Sequence, residues 1–375
     1  MAVSGRPGRE ASDVRDTSYS MSAKPNLPIP RSNVAKMAPY VPGEQPGPGE
    51  KVIKLNTNEN PFPPSPRVAN AIRTLDPEHL RRYPSPKADA FRATAARVHG
   101  VSDDMILAGN GSDEILAIVM RTYLGPGDVI AYPDPTYSLY PVLAESGENR
   151  VRTVTWEANW ELPIDALLAT GARAIFFANP NAPTGTVVKK SRVRDLAKAF
   201  DGLVLVDEAY VDFADESCLD LVRELPNVVL SRTFSKGYSL AGLRFGYAIA
   251  APAVVAEMMK VKDSYNCDAI SILAATAALE DQDYARKAWQ SVRSERARLS
   301  MELGKRGYEV IPSQANFVFA RCPGGNAAAV YRTLKAHGIL VRFFDKPGLA
   351  DKVRITIGTV DQNNTLLEAL PNTRL

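Results

Sequence analysis

Five short apolar runs, each closing on polar or aromatic residues, constrain the fold of this chain more than any other feature. They are MILAG at 105–109, DVIAYPDPTY at 128–137, AIFFANPN at 174–181, LVLVDEAY at 203–210 and NVVLSRTFSK at 227–236. Runs that are apolar throughout, rather than at every second position, predict strands buried on both faces. Helical patterns separate them, such as SDEILAIVMRTYL after the first run and the segment through Leu196 and Phe200. Strands alternating with helices predict an α/β fold, a large doubly wound, mostly parallel sheet with helices on both sides. In such sheets ligands bind beyond the carboxyl ends of the strands. Those ends carry Gly111 to Asp113, Tyr137, Asn181, Asp207 with Tyr210, and Lys236.

Lys236 is the chemical centre of the set. It lies in SRTFSKGYSLAGLRFGY, residues 231–247, between Ser235 and Gly237, with Arg232 before it and Arg244 after. Two permanent cations disfavour the ammonium form, and only the neutral amine attacks a carbonyl. Arginines, a hydroxyl and a glycine-loosened backbone also suit a phosphate. A second phosphate contact is expected at Gly111, Ser112 and Asp113, where a strand, a glycine turn and a helix follow in order and leave backbone N–H groups free. The turn is not a dinucleotide fingerprint, because Glu114 stands where the third glycine would be. A Schiff-base lysine, a phosphate cradle, a buried carboxylate, a phenol and an aromatic ring together describe a site for pyridoxal phosphate. Asp207 would keep the pyridine nitrogen protonated, Tyr210 would hydrogen-bond the ring hydroxyl, and Tyr137 would stack on the ring.

The rest of the chain is read around that site. Eleven of the 28 prolines fall between Pro25 and Pro66, which predicts an extended arm without regular helix or central strand. The arm still carries Tyr40, Asn56, Asn58, Glu59 and Asn60, groups suited to packing on another surface. RRYPSP puts Tyr83 on a turn, before a helix expected to run from Ser85 as N-cap to Gly100. Beyond Ser264 a long amphipathic helical stretch to Leu303, the strand QANFVFAR, a helix over 326–337 and the strand VRITIG form an α+β pattern containing Arg342 and Arg354. The expected organisation is a disordered extension over 1–30, an arm with part of the small domain over 31–75, a large domain over 76–263 and a small C-terminal domain over 264–375. Met21 is an alternative start, and the first thirty residues lack the apolar core of a secretory signal. A net charge of +3 makes no electrostatic case for nucleic acid or an anionic membrane. Three widely spaced cysteines and three scattered histidines predict neither a disulfide framework nor a metal site, and point to a reducing, cytoplasmic setting.

The motifs LNTNENP, RYP, GNGSDE, DPTY, NPNAPTG, DEAY, RTFSKGYSLAGLRFG and RITIG resemble those of the fold-type I pyridoxal-phosphate aminotransferases and, within them, the histidinol-phosphate aminotransferases. They span Leu55 to Gly358. The resemblance implies that Lys236 joins the cofactor covalently and moves the proton from substrate Cα. It also implies that Gly111, Ser112, Asp113, Ser235 and Arg244 hold the cofactor phosphate, and that the family works as a homodimer in which Tyr83 reaches the partner's cofactor. Arg354 would grip the substrate carboxylate or phosphate, with Tyr40 and Arg342 nearby. The implied reaction is amino transfer between glutamate and imidazole acetol phosphate, giving histidinol phosphate and 2-oxoglutarate. Aromatic aminotransferases and threonine-phosphate decarboxylases share these motifs, and a non-catalytic ligand-binding protein would have lost the lysine or aspartate. One departure is Ala182, where many relatives have an asparagine on the ring hydroxyl; either Asn181 takes that role or Tyr210 serves alone.

Overall fold

The computed structural model describes residues 28–47 and 49–370. Most of the extension expected over 1–30, including Met21, lies outside the described residues. The five apolar runs form strands of one seven-stranded sheet. Its members are β1 (Ile106–Gly109), β2 (Val129–Asp134), β3 (Arg150–Thr155), β4 (Ala174–Ala178), β5 (Leu203–Asp207), β6 (Val228–Thr233) and β7 (Gly246–Ala250). Their spatial order is β1-β7-β6-β5-β4-β2-β3. Only β7 runs against the others, so six carboxyl ends face one edge.

Both faces of the sheet are buried. Ile175, Phe177, Val204, Val206, Val228 and Leu230 enter one core, while Phe176, Leu203, Leu205 and Val229 enter the other. Each such side chain contributes about 1.5–3 kcal/mol by leaving water. This burial explains the uninterrupted apolar runs. Two strands escaped the sequence reading. β3 is an edge strand whose RVRTVT pattern is mostly exposed, as edges protected by charge are, and β7 follows directly on the polar lysine loop.

Three helical expectations need correction. The helix expected from Ser85 begins at Asp89, because Ala88 adopts a left-handed conformation. Ser85 instead accepts from the Asp89 N–H at 3.2 Å, and Gly100 closes the helix as expected. The long C-terminal stretch is two helices, Ala269–Glu280 and Gln282–Lys305, parted at Asp281. The proline-rich arm contains a five-residue helix, Ser32–Lys36, in a gap between its prolines.

The C-terminal segments form a four-stranded antiparallel sheet with Lys352–Thr356 and Phe317–Arg321 at its centre. Val353 and Ile355 point into a separate apolar core, which leaves Arg354 and Thr356 on the opposite face. The arm joins this half of the molecule, because Ile53–Lys54 pairs in parallel with Ile339–Leu340.

Gly246 lies where β7 meets the start of helix Ser112–Tyr123. A Cβ on it would fall 2.5 Å from the Ser112 nitrogen and 2.8 Å from the Arg232 carbonyl. Gly246→Ala is expected to cost about 1–3 kcal/mol in urea unfolding, from overpacking against backbone. Gly304→Ala, in an exposed helical position with open space around it, is expected to stabilise by about 0.4–1 kcal/mol. Equal effects of the two substitutions would contradict this packing.

Candidate active site

Lys236 follows β6 on a loop tied down from three directions. Its Nζ donates to the Thr57 carbonyl at 2.9 Å. The Asn60 amide donates to the carbonyls of Lys236 and Gly237 at 3.1 and 3.2 Å, and Trp289 Nε1 donates to the Gly237 carbonyl at 2.8 Å. Gly237 is required by close approach, since a Cβ there would overlap the Asp212 carboxylate. The Lys236 amine is pushed down to about 8, first by burial and then by the Arg354 charge, with Arg244 adding to it and Glu59 opposing. The expected contribution of Arg232 needs correction. Its guanidinium donates to the buried Glu208 carboxylate at 2.9 and 2.7 Å and to Ser217 at 2.7 Å. Arg232 is thus a structural partner on the other face of the sheet, and Arg354 supplies the second cation.

Asp207 ends β5, is 3 % exposed and has its carboxyl raised to about 7, chiefly by burial. Among the described residues no lysine or arginine pairs with it. Among the described residues it accepts only from the Tyr140 hydroxyl and the Ala209 N–H, both at 3.2 Å. One turn further on, Tyr210 is buried, its ring edge-on to Phe317 with centroids 5.1 Å apart. The Tyr210 oxygen accepts from the Asn58 amide at 2.9 Å, and Lys236 Nζ lies 6.0 Å from the Tyr210 ring centroid.

The cradle assembles from β1, β6 and the loop before β7. Helix Ser112–Tyr123 has Gly111 as N-cap and no side-chain cap, so its first N–H groups are free for an anion. Arg244 Nη1 donates to the Ser235 hydroxyl at 3.1 Å, and its Nη2 meets the Asp113 carboxylate at 3.1 Å. The other Asp113 oxygen accepts from the Tyr137 hydroxyl at 3.1 Å. Arg244 therefore stands beside the helix start, paired there with the Asp113 carboxylate.

The remaining expected residues divide. Arg354 is largely buried over the rings of Phe317 and Phe344, donates to the Asn56 carbonyl at 3.0 Å and has a buried Nε without a partner among the described residues. Arg342 faces Phe344 and donates to the carbonyls of Pro42 and Val41. Tyr40 lies edge-on to Tyr137 at 6.3 Å. Tyr83 is 80 % exposed and stacks on Tyr265 at 4.4 Å. Asn181 is buried with both amide protons engaged, by the Pro135 carbonyl at 3.1 Å and Thr184 at 2.9 Å. Ala182 packs with Tyr210, Ala315 and Phe317. Sequence reasoning missed Tyr140 and Thr57. Tyr140 stands three residues after Tyr137 at the start of a helix, a spacing that could have paired them; Thr57 acts through its carbonyl, which leaves no sequence signal.

The chain matches the family described as Aminotransferase class I and II over residues 50–370 and belongs to it. It is 48 % identical over 340 residues to Histidinol-phosphate aminotransferase 1 of Trichormus variabilis, covering 91 % of this chain and 97 % of that one. It is 45 % identical over 334 residues to histidinol-phosphate aminotransferase of Rhodopirellula baltica, covering 88 % and 92 %. Among solved structures it resembles histidinol-phosphate aminotransferase from Sinorhizobium meliloti in complex with pyridoxal-5'-phosphate, with TM-score 0.84, 28 % identity and coverage of 94 % and 98 %.

The cofactor is pyridoxal 5'-phosphate, and the side chains fit it. A buried carboxylate without a cationic partner suits a protonated ring nitrogen, and a depressed lysine suits an aldehyde. An uncapped helix start beside Arg244 and Ser235 suits a phosphate.

The lysine shift has a direct consequence. Below about pH 8 the amine is protonated and inert, so in the cofactor-free protein its reaction with trinitrobenzenesulfonate should rise to a plateau with a midpoint near pH 8, two units or more below an ordinary lysine. Lys236→Arg should abolish that phase. A rate still climbing at pH 10 would contradict the burial and charge described.

Proposed function

We infer that this chain transfers the amino group between glutamate and imidazole acetol phosphate, giving histidinol phosphate in histidine biosynthesis. The carrying observation is the convergence of a depressed Lys236, an unpaired Asp207 and the Arg244–Ser235 pair at one sheet edge. Relatives 45–48 % identical over nearly the whole chain supply the substrate class.

Bound pyridoxal phosphate supplies an electron-accepting ring that stabilises negative charge at the substrate carbon. Lys236 would provide the amine that holds the cofactor and the base that carries the substrate Cα proton. Its lowered proton affinity keeps a large neutral fraction near pH 8. Asp207 holds a proton on the ring nitrogen, and Tyr140 fixes the orientation of its carboxylate. Tyr210 donates to the ring hydroxyl, while the amide protons of Asn181 are already engaged. Gly111, Ser112 and Asp113 with Ser235 and Arg244 would hold the cofactor phosphate, and Tyr137 would stack on the ring. Arg354, with an unpartnered Nε, takes the substrate carboxylate, and Tyr40 and Arg342 border that end.

The active form is a homodimer with shared sites, and the exposed Tyr83–Tyr265 pair contributes Tyr83 to the partner's cofactor phosphate. Among the described residues no helix is long and apolar enough to cross a membrane, and the proposed location is the cytoplasm.

Specificity is tested by kcat/KM for imidazole acetol phosphate against phenylpyruvate, with threonine phosphate assayed for decarboxylation. The expected preference is about 10²-fold or more; preference for phenylpyruvate would reassign the enzyme to aromatic substrates. Shared sites are tested by mixing Tyr83→Ala with Lys236→Ala chains. Partial recovery of activity is expected, from dimers with one intact site, and no recovery would contradict the contact across subunits.

A further inference from the structure

The arm residue Asn58 is joined to more of the site than its position outside the seven-stranded sheet suggests. It is 1 % exposed and adopts a left-handed backbone conformation, φ 58°, which asparagine tolerates better than most residues. All its polar groups are engaged. Its N–H donates to Thr356 Oγ1 at 3.0 Å, and its carbonyl accepts from the Asn316 amide at 2.9 Å. Its side-chain oxygen accepts from Thr356 Oγ1 at 3.1 Å, and its amide nitrogen donates to the Tyr210 oxygen at 2.9 Å.

The chain of bonds has a direction. Thr356 Oγ1 accepts the Asn58 N–H, and its own proton has one acceptor among the described residues, Asn58 Oδ1. Thr356 is buried, so turning the amide over would strand that proton at a cost of about 1–3 kcal/mol. The amide NH₂ is therefore held toward Tyr210. A phenol has one proton and two lone pairs; with a lone pair taken by Asn58, its proton is directed elsewhere.

We propose that Asn58 is a positioning residue that fixes the Tyr210 O–H as a donor toward the cofactor's ring hydroxyl. The inference rests on the Tyr210 assignment above. Thr356 orients Asn58, Asn58 orients Tyr210, and Tyr210 lowers the proton affinity of the bound cofactor by stabilising its deprotonated oxygen. Arg354 stands two residues from Thr356 on the same strand face and bonds the Asn56 carbonyl, so the substrate arginine and the phenol are anchored through one arm segment.

The test is a spectrophotometric pH titration of the bound cofactor in the holoenzyme, a readout independent of turnover. Tyr210→Phe should raise the absorbance midpoint by about one pH unit, the scale of one hydrogen bond to a charged group. Asn58→Asp, which can only accept once ionised, should draw the phenol proton to itself and raise the midpoint similarly. In a Tyr210→Phe background it should add little, because the two act as one unit. Thr356→Val, which introduces no charge, should move the midpoint the same way, and Thr356→Ser should restore it. A full Asn58→Asp shift persisting without the phenol, or no shift in Asn58→Asp and Thr356→Val while Tyr210→Phe responds, would overturn the role of Asn58. An unresponsive Tyr210→Phe would instead remove the Tyr210 assignment itself.

Discussion

A carboxylate held out of water without a cation is the constraint around which the site is arranged. Asp207 ends a strand buried on both faces, and its side chain lies on the same face as Leu203 and Leu205. Removing an ion from water costs several kcal/mol unless a partner is supplied, and the neighbouring groups, Tyr140 and the Ala209 N–H, are neutral donors. The carboxyl therefore sits near pH 7, poised to share charge with a cationic ligand. On the proposed reading that ligand is a pyridinium. The pairing would lower the carboxyl's proton affinity and raise that of the ring nitrogen, each stabilising the charge of the other.

The sheet makes this constraint possible. Six parallel strands bring Gly111, Tyr137, Asn181, Asp207 and Lys236 to one edge from distant parts of the chain. Charges of the same face are kept apart from those of the other. Arg232 and Glu208 neutralise each other behind the sheet, which leaves Arg244 and Arg354 to act on Lys236. The glycine after the lysine lets Asp212 approach the loop, and Asn60 and Trp289 hold its carbonyls. The lysine is thus buried by packing from the arm and the long helix, and burial is the largest cause of its shift.

Much of this could be read from residues alone, for identifiable reasons. Buried strands announce themselves by continuous apolar runs, and the carboxyl-end rule converts them into a list of site residues without any contact being known. Edge strand β3 could not be read this way, because water replaces half of its apolar pattern. The Ser85 cap failed because local propensity was overridden by the left-handed turn at Ala88. Ion-pair partners were the weakest point. Arg232 and Arg354 are 122 residues apart in sequence, and which of them faces Lys236 depends on strand parity and on Glu208, neither visible in a short motif. The prolines and amides of the arm mark it as irregular and polar, but its role as the link between Thr356, Asn58 and Tyr210 needs the three-dimensional register.

The proposed chemistry depends on the protonation of one nitrogen. Reconstituting the protein with pyridoxal phosphate labelled with ¹⁵N in the ring and recording the nitrogen chemical shift across pH 6–9 tests it most directly. A protonated pyridinium shift is expected to hold through pH 8 in the native protein and to be lost in Asp207→Ala. A neutral-pyridine shift in the native protein at pH 7, or the same shift with and without Asp207, would contradict it.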